Sequence, residues 1–288
     1  MKYKVIGIGD NVVDKYIHQG IMYPGGNALN FSAYAAMCGM ESAYIGKFGN
    51  DAVAAYIQKV LDELGIDHSR SRIFEGENGY ARVTLEHGDR VFLGSNKGGI
   101  AKEKPWEFTE KDYEYIKKFS VIHTSLNSYI EKDLEGLKAC GSPVSFDFSV
   151  RWNDEYLEQV CSKTDISFLS CSNLTEEERK GEMLKAQKYG SEIVVGTVGE
   201  KGSFALYKDN WLYQPAVLTD TVDTMGAGDS YLTAFLVEMI RNSKEGKIFS
   251  GNDEEMIKKL KAGMEKGAIF AAGICRISGA FGHGTAIS

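Results

Sequence analysis

The sequence predicts an α/β protein with three layers, α/β/α, in which a mainly parallel central sheet carries a small antiparallel β lid. Short apolar, branched runs alternate with stretches of helical spacing along most of the 288 residues. Strands that alternate with helices of this length usually pair in parallel and are covered on both faces. One segment, residues 70–95, instead alternates polar and apolar residues with period two, which is typical of antiparallel hairpins.

Each element is predicted from its own residues. The strand "YKVIGIGD" ends at a glycine turn, and the helical pattern "NALNFSAYAAMCG" ends at a glycine as well. The same pattern continues through "SAYIGKFG" and "DAVAAYIQKVLDELG", "SVIHTSL" and "EKDLEGLKACG", the strand "PVSFDFS", "ISFLSCS" and "TEEERKGEMLKAQKYG", and the strand "EIVVGTVG". We expect residues 1–288 to form a single domain whose lid comprises about residues 12–22 and 70–95.

Composition and charge exclude several classes of protein. A net charge of -7 disfavours a nucleic-acid partner, because neutralising phosphates requires a basic face. The apolar run in "MKYKVIGIGD" is too short for a signal peptide, and no 18 apolar residues follow one another. The five cysteines are scattered and never spaced as CxxC, which favours free thiols over disulfides or zinc. We expect a cytoplasmic protein with a small-molecule partner and no membrane or nucleic-acid partner.

The stretch "DTMGAGDSYLTAFL", residues 223–236, places two glycines and a carboxylate at the start of a buried helix. The unpaired N–H groups and the dipole of a helix N-terminus favour an anion such as phosphate, so Gly226, Ala227 and Gly228 are candidate donors. Asp229 repels phosphate, but it is well placed to take a proton from a hydroxyl that attacks phosphorus. The alternative is that Asp229 only caps the helix.

Other catalytic motifs are missing from the sequence. It contains no GxxxxGK[ST], and Val12 stands at the third glycine position of the dinucleotide fingerprint that "GIGDNVVD" begins. The five histidines show no HxxxH or HExxH spacing, and no GxSxG occurs. The missing motifs therefore disfavour a Walker-type NTPase, a dinucleotide-binding enzyme and a hydrolase.

Several motifs, taken in order, resemble the PfkB/ribokinase family of sugar kinases over essentially the whole chain. "PGGNALNFSAYAAMCG" is similar to the two-glycine motif of that family, and "DTMGAGDS" is similar to its C-terminal motif. Lid hairpins, an NxxE stretch and a TxGxxG stretch lie between them, as they do in the family. Within it, "GDNVVD", "HGDRVF", "SFDFS" and "DTMGAGDS" most resemble the fructosamine kinases, including the fructoselysine 6-kinases. The resemblance implies a ribokinase-like fold.

The resemblance also implies roles for the catalytic and nucleotide residues. Asp229 would be the catalytic base, and residues 226–228 would form the anion hole over the transferring phosphoryl group. Asn173 and Glu176 match NxxE and would organise Mg²⁺, with Glu176 as the oxygen ligand, although acids also simply favour a helix N-terminus. Three residues of "TVGEKGS" would contact ATP, unless this stretch is only a hairpin turn: Thr197, Gly199 and Gly202.

The substrate side is assigned by the same resemblance. The residues that match the family's sugar-binding positions are Asp14, Gly25, Gly26, Asn27 and Asn30, and their acid and amides suit a polyhydroxyl ligand. Asn27 has the alternative task of capping the helix that follows it. Arg90 either reaches a phosphate or substrate carboxylate, or is an ordinary solvated arginine. "FDFSVRW" has Ser149 where the family often has asparagine, which leaves the roles of Asp147 and Arg151 open.

Together these features predict an ATP-dependent kinase that phosphorylates the 6-hydroxyl of fructoselysine or a related fructosamine. The 6-hydroxyl and the amine adduct come from the resemblance alone, as does a possible potassium requirement. The alternatives are a kinase for fructose, ribose, ketodeoxygluconate or a nucleoside, and a non-catalytic sugar-binding protein on the same scaffold. The apolar residues of the lid need a cover, and pairing of lids in the family implies a homodimer formed through these hairpins.

Overall fold

Strands and helices alternate along the chain, as the sequence predicts. The computed structural model describes residues 3–86 and 89–287, with the backbone alone for residues 85–86 and 89–90. The strands are β1 Lys4–Gly9, β2 Val12–Tyr16, β3 Ile21–Gly25, β4 Glu41–Phe48, β5 Arg72–Ile73, β6 Gly79–Glu86, β7 Asp89–Ser95, β8 Val121–Ser125, β9 Val144–Asp147, β10 Ile166–Ser170, β11 Ile193–Thr197, β12 Ser203–Tyr207, β13 Asn210–Gln214 and β14 Thr285–Ala286. The helices are α1 Asn27–Met37, α2 Ala52–Glu63, α3 Ile100–Glu103, α4 Glu110–Ile116, α5 Leu134–Lys138, α6 Asp154–Cys161, α7 Glu176–Lys188, α8 Ala227–Arg241 and α9 Asp253–Ile274.

The large sheet has the strand order β13-β12-β11-β10-β9-β8-β1-β4-β5 within the described residues. Pairing is parallel from β11 to β5, and β12 and β13 complete one edge as an antiparallel hairpin. Successive residues of a strand face opposite sides, so Val5 of β1 packs with α1, α8 and α9, whereas Ile6 packs with α5, α6 and α7. The sheet is therefore covered by helices on both faces, which confirms the predicted three-layer fold class.

The small sheet, called the lid sheet below, has the order β14-β3-β2-β6-β7 in the described part of the chain. Its neighbours pair antiparallel except β2 and β6, which are parallel because α1, β4 and α2 lie between them along the chain. The expected lid boundaries, 12–22 and 70–95, need correction. Residues 72–73 belong to the large sheet, where they pair with the exposed edge of β4, while β3 extends to Gly25 and residues 285–286 add a strand.

Helix α1 follows two glycines, of which Gly25 ends β3 and Gly26 precedes the helix. Its N-cap residue is Gly26, with φ 109°, and a Cβ there would lie 2.8 Å from the carbonyl oxygen of Asp10. The Asp10 carboxylate, at the end of β1, accepts hydrogen bonds from the backbone N–H groups of Asn27 at 2.8 Å and Ala28 at 3.2 Å. Because Asp10 caps the helix, the Asn27 side chain is left for other contacts.

The longest helix is α9, and it packs along α8 through Leu260 and Met264. None of the helices in residues 3–86 and 89–287 combines the length and the apolar character that a membrane-spanning helix needs.

Candidate active site

The N-terminus of α8 forms the centre of the site. Gly226 precedes the helix with φ 71° and ψ 9°, in the left-handed region, and no side chain in the described part of the chain caps the helix. The N–H of Ala227 donates to the carbonyl of Thr224 at 3.2 Å, so this expected phosphate donor is already engaged in the turn. The N–H of Gly228 lies in the first turn, where a helix offers no carbonyl partner of its own. Gly226 and Gly228 therefore remain the better candidates for holding an anion.

Asp229 is held by two asparagines of α1, not by its own helix. Its two carboxylate oxygens accept hydrogen bonds from Nδ2 of Asn27 at 2.7 Å and from Nδ2 of Asn30 at 2.6 Å. The carboxylate is half-buried. The capping alternative therefore does not describe its role, since the N-cap residue is Gly226. Two amide donors fix the orientation of a carboxylate that still reaches the solvent side of the site.

Asn27 connects this carboxylate to a second one. Its Nδ2 also donates to Oδ2 of Asp147 at 2.8 Å, and its Oδ1 faces Nε2 of His123 at 2.9 Å. Asp147 ends β9, and its other oxygen accepts the backbone N–H of Ser149 at 2.8 Å. Burial, with the nearby charge of Asp229 as the next cause, raises the pKa of Asp147 to about 7. One amide group thus bridges two acids of unequal exposure.

Asn30 leaves one buried polar atom unused. Its side chain is 3% exposed, its Nδ2 is occupied by Asp229, and its Oδ1 has no hydrogen-bond partner among the described residues. A buried amide oxygen without a donor is costly, and a hydroxyl group of a ligand would satisfy it. This orphaned acceptor beside Asp229 is the strongest local indication of where a polyhydroxyl substrate binds.

The remaining substrate candidates lie on the lid sheet. Asp14 is a buried residue of β2, and a Cβ on Gly25 would lie 2.6 Å from its Oδ2, so glycine leaves room for this carboxylate. The side chain of Arg90 lies outside the part of the chain that the structure describes. Arg151, whose role the sequence left open, is exposed and donates from its guanidinium to Oδ1 of Asn127.

A cavity of about 370 Å³ adjoins the N-terminus of α8. Its size lies within the usual range for small-molecule sites. It is lined by the predicted nucleotide residues Thr197, Gly199 and Gly202 and by Ala227 and Gly228. Small residues of α9 and the residue after it, which the sequence analysis missed, complete the lining: Ala268, Ala271, Ala272 and Cys275. The β11–β12 connection is a hairpin, as the alternative interpretation of "TVGEKGS" predicts, and the contact of these residues with ATP stays a prediction.

Asn173 and Glu176 do not line that cavity. Glu176 is exposed at the start of α7, where it pairs with Lys180 at 2.5 Å, and Thr175 and Glu178 form a capping box. Lys180 lowers the pKa of Glu176. Within residues 3–86 and 89–287, no three His, Cys, Asp or Glu side chains are grouped as metal ligands. The contacts seen here are those of a stabilised helix N-terminus, with Ser172 at the cavity wall just before it.

The fold and this site together define a carbohydrate kinase. A family model described as "pfkB family carbohydrate kinase" matches residues 1–258, and the chain therefore belongs to that family. The family resemblance seen in the sequence is confirmed, and with it the prediction of an enzyme that phosphorylates a sugar hydroxyl.

Two relatives match most of the chain. Fructosamine kinase FrlD of Bacillus subtilis is 42% identical over 284 residues, which covers 98% of this chain and 94% of that protein. Fructoselysine 6-kinase of Escherichia coli is 29% identical over 229 residues, with 80% and 86% covered.

Solved structures confirm the ribokinase-like fold. A fructokinase with bound ATP from Xylella fastidiosa superposes with a TM-score of 0.77 at 16% identity, covering 98% of this chain and 94% of that one. Arabidopsis thaliana ribokinase complexed with ribose and ATP gives a TM-score of 0.75 at 21% identity, covering 97% and 94%.

Proposed function

We propose that this protein is a single-domain, ATP-dependent kinase that phosphorylates the 6-hydroxyl of fructoselysine or a related fructosamine. The observation that carries the proposal is the position of Asp229, which two asparagines hold beside the cavity at the N-terminus of α8. The choice of a fructosamine rests on the 42% identity to a fructosamine kinase.

In this mechanism Asp229 acts as the general base. Its carboxylate takes the proton of the sugar hydroxyl, and the oxygen forms a bond to the γ-phosphorus of ATP while the bond to the bridging oxygen of ADP breaks. The backbone N–H groups of Gly226 and Gly228 stabilise the charge on the transferring phosphoryl group. Thr197, Gly199 and Gly202 line the side of the cavity that we assign to the nucleotide, and Asn30 Oδ1 accepts a hydroxyl of the sugar.

Magnesium fits this scheme through Glu176 and Asn173. Mg²⁺ keeps several waters and is typically held by one or two carboxylates together with the substrate phosphates, so a three-residue protein cluster is not required. Glu176 is 67% exposed in its side chain, and its partner Lys180 is also exposed, so both side chains are open to solvent. When bound, the ion neutralises phosphate charge. We also propose that the activity depends on K⁺, and this part of the proposal rests on the family resemblance alone.

We further propose a cytoplasmic homodimer that pairs through the lid sheet. Phe92 and Leu93 of its edge strand β7 are 65% and 48% exposed, which leaves apolar surface at a strand edge. The five cysteines are free thiols, which supports a reducing compartment.

The test is an ATP-coupled assay with fructoselysine, fructose, ribose and adenosine, run with and without Mg²⁺ and with K⁺ replaced by Na⁺. Asp229→Asn is expected to lose two to four decades of kcat, about 10²–10⁴-fold, while binding ATP normally. The variant is expected to fold, because Asn30 can turn its unpartnered Oδ1 toward the new amide. Activity within threefold of wild type would exclude Asp229 as the base, and turnover of none of the four compounds would favour a binding protein.

A further inference from the structure

His123 has no assigned part in the reaction, yet it contacts Asn27, the residue whose amide donates to both carboxylates of the site. It is a β8 residue with 0% exposure, and its ring packs against Phe31 with centroids 4.6 Å apart. Its Nε2 is 2.9 Å from Oδ1 of Asn27, and its Nδ1 is 3.1 Å from Oγ of Ser145 on the adjacent strand. Both ring nitrogens are therefore committed to named partners.

The surroundings of Asn27 fix which way its amide points. Its Nδ2 lies 2.8 Å from Asp147 and 2.7 Å from Asp229, and the two hydrogens of an amide NH₂ supply one bond to each acid. The reversed amide would place its carbonyl oxygen against the carboxylate of Asp229, the proposed base, which as a carboxylate only accepts. Oδ1 must then face His123, and since a carbonyl oxygen only accepts, Nε2 has to carry the hydrogen.

The state of the imidazole follows from that constraint. Complete burial lowers the pKa of His123 to about 3, so the ring is neutral near pH 7 and carries one hydrogen. With the hydrogen on Nε2, the lone pair of Nδ1 accepts the hydroxyl of Ser145. Donation then runs in one direction, from Ser145 to His123 to Asn27, and from Asn27 to the carboxylates of Asp147 and Asp229.

We propose that His123 is a positioning residue, whose Nε2–H locks the amide of Asn27 with its NH₂ group toward Asp229 and Asp147. This inference rests on the proposed function, in which Asp229 is the base. Without that donor the buried Oδ1 of Asn27 loses its hydrogen bond, and the amide is held only through its NH₂ group. The amide can then tilt, and the carboxylate of Asp229 that it holds is less well aligned with the substrate hydroxyl.

The test compares His123→Gln with His123→Leu. The side-chain nitrogen of glutamine occupies about the position of Nε2 and donates to Asn27, whereas leucine fills the space without a donor. We expect His123→Leu to lower kcat about 10- to 100-fold with the KM for the sugar changed less than threefold, as misalignment of a reacting group does. His123→Gln is expected to recover at least tenfold of that loss. Equal kcat in the two variants would overturn the inference.

A spectroscopic measurement makes the test independent of activity and of the leucine variant's folding. In wild-type protein labelled with ¹⁵N in its histidines, one ring is expected to remain in the neutral Nε2–H form from pH 5.5 to 8, and its signals should be absent from His123→Gln. An Nδ1–H tautomer, or titration of this ring between pH 6 and 7, would contradict the proposal. If Asp229→Asn is fully active the proposed function fails, whereas a fully active His123→Leu beside an inactive Asp229→Asn refutes only the role of His123.

Discussion

Gly226→Ala is expected to destabilise the protein because the methyl group has no space and the backbone has the wrong handedness. Gly226 has φ 71°, and a Cβ built there would lie 2.2 Å from the hydroxyl oxygen of Tyr34 and 3.1 Å from Cβ of Ala280. Tyr34 is fully buried, between Phe270 and Phe281, so its ring cannot swing away. The two costs arise at one position but have separate causes.

The magnitude follows from adding those causes. A left-handed backbone costs an L-residue roughly 1–2 kcal/mol, and inserting a methyl group into a packed interior costs about 1–3 kcal/mol. The free energy of unfolding should therefore fall by about 2–5 kcal/mol. The hydroxyl of Tyr34 has no hydrogen-bond partner in the described residues, so Tyr34→Phe removes an unsatisfied buried group and is expected to be neutral or stabilising.

The assay is urea unfolding of a double-mutant cycle: wild type, Gly226→Ala, Tyr34→Phe and the double variant. Removing the hydroxyl removes the 2.2 Å contact, so Gly226→Ala should cost only about 1–2 kcal/mol in the Tyr34→Phe background, which is the backbone part. Gly228→Ala is the matched control. Its Cβ would meet none of the described atoms within 4 Å, so stability should be unchanged or about 1 kcal/mol higher, while the methyl group should enter the cavity that we assign to the nucleotide and lower kcat/KM. An equal cost of Gly226→Ala in both backgrounds would refute the steric argument.

Two further predictions concern pH and assembly. Folding raises the pKa of Asp147 from 3.8 to about 7, so the stability that this group contributes is fully present below pH 3.8 and is lost as the pH rises to about 7. Over that window Asp147→Asn should gain stability relative to wild type by about 1 kcal/mol per pH unit, measured by urea unfolding. A pH-independent difference would contradict the shift. The double substitution Phe92→Asp and Leu93→Asp, which places two negative charges on the edge strand of the lid sheet, should convert the dimer into a 31.8 kDa monomer in light scattering at micromolar protein. Leu184→Asp on α7, where the leucine is as exposed as Leu93, should leave the dimer intact. A monomeric wild type would exclude the dimer.

How much of the site the sequence predicts depends on how local each contact is. The GAGD turn, its buried helix and the two-glycine motif are each contained in a few residues, so the sequence alone makes Asp229 a candidate base, and the family resemblance makes Asn27 and Asn30 candidate substrate residues. The links from Asn27 to His123 and Asp147 span 96 and 120 residues, and no local pattern reports them. Asp10 was missed as the cap of α1 because it lies 17 residues before the helix that it caps.

The boundaries of the lid were misjudged for a related reason. Period-two alternation indicates strands but not their partners, and residues 72–73 alternate like the rest of the segment although they pair with β4. The contribution of α9 to the lining of the cavity beside the N-terminus of α8 was likewise missed. Small residues such as Ala271 and Ala272 carry no chemical pattern, and they matter only because α9 packs along α8 at this point.

The amide of Asn27 connects Asp147 to Asp229, which suggests a role for Asp147 that the sequence left open. Two carboxylates that share one amide repel each other, and the less exposed member holds a proton more readily. Asp147 is buried with a pKa of about 7, so at pH 7 it is protonated in about half of the molecules. The half-buried Asp229, with an amide donor on each oxygen, is the member that we propose as the base. As the pH rises above 7, Asp147 loses its proton and a second negative charge appears beside the base and the incoming phosphates. Repulsion of ATP should then raise its KM in wild type, and Asp147→Asn should abolish that rise.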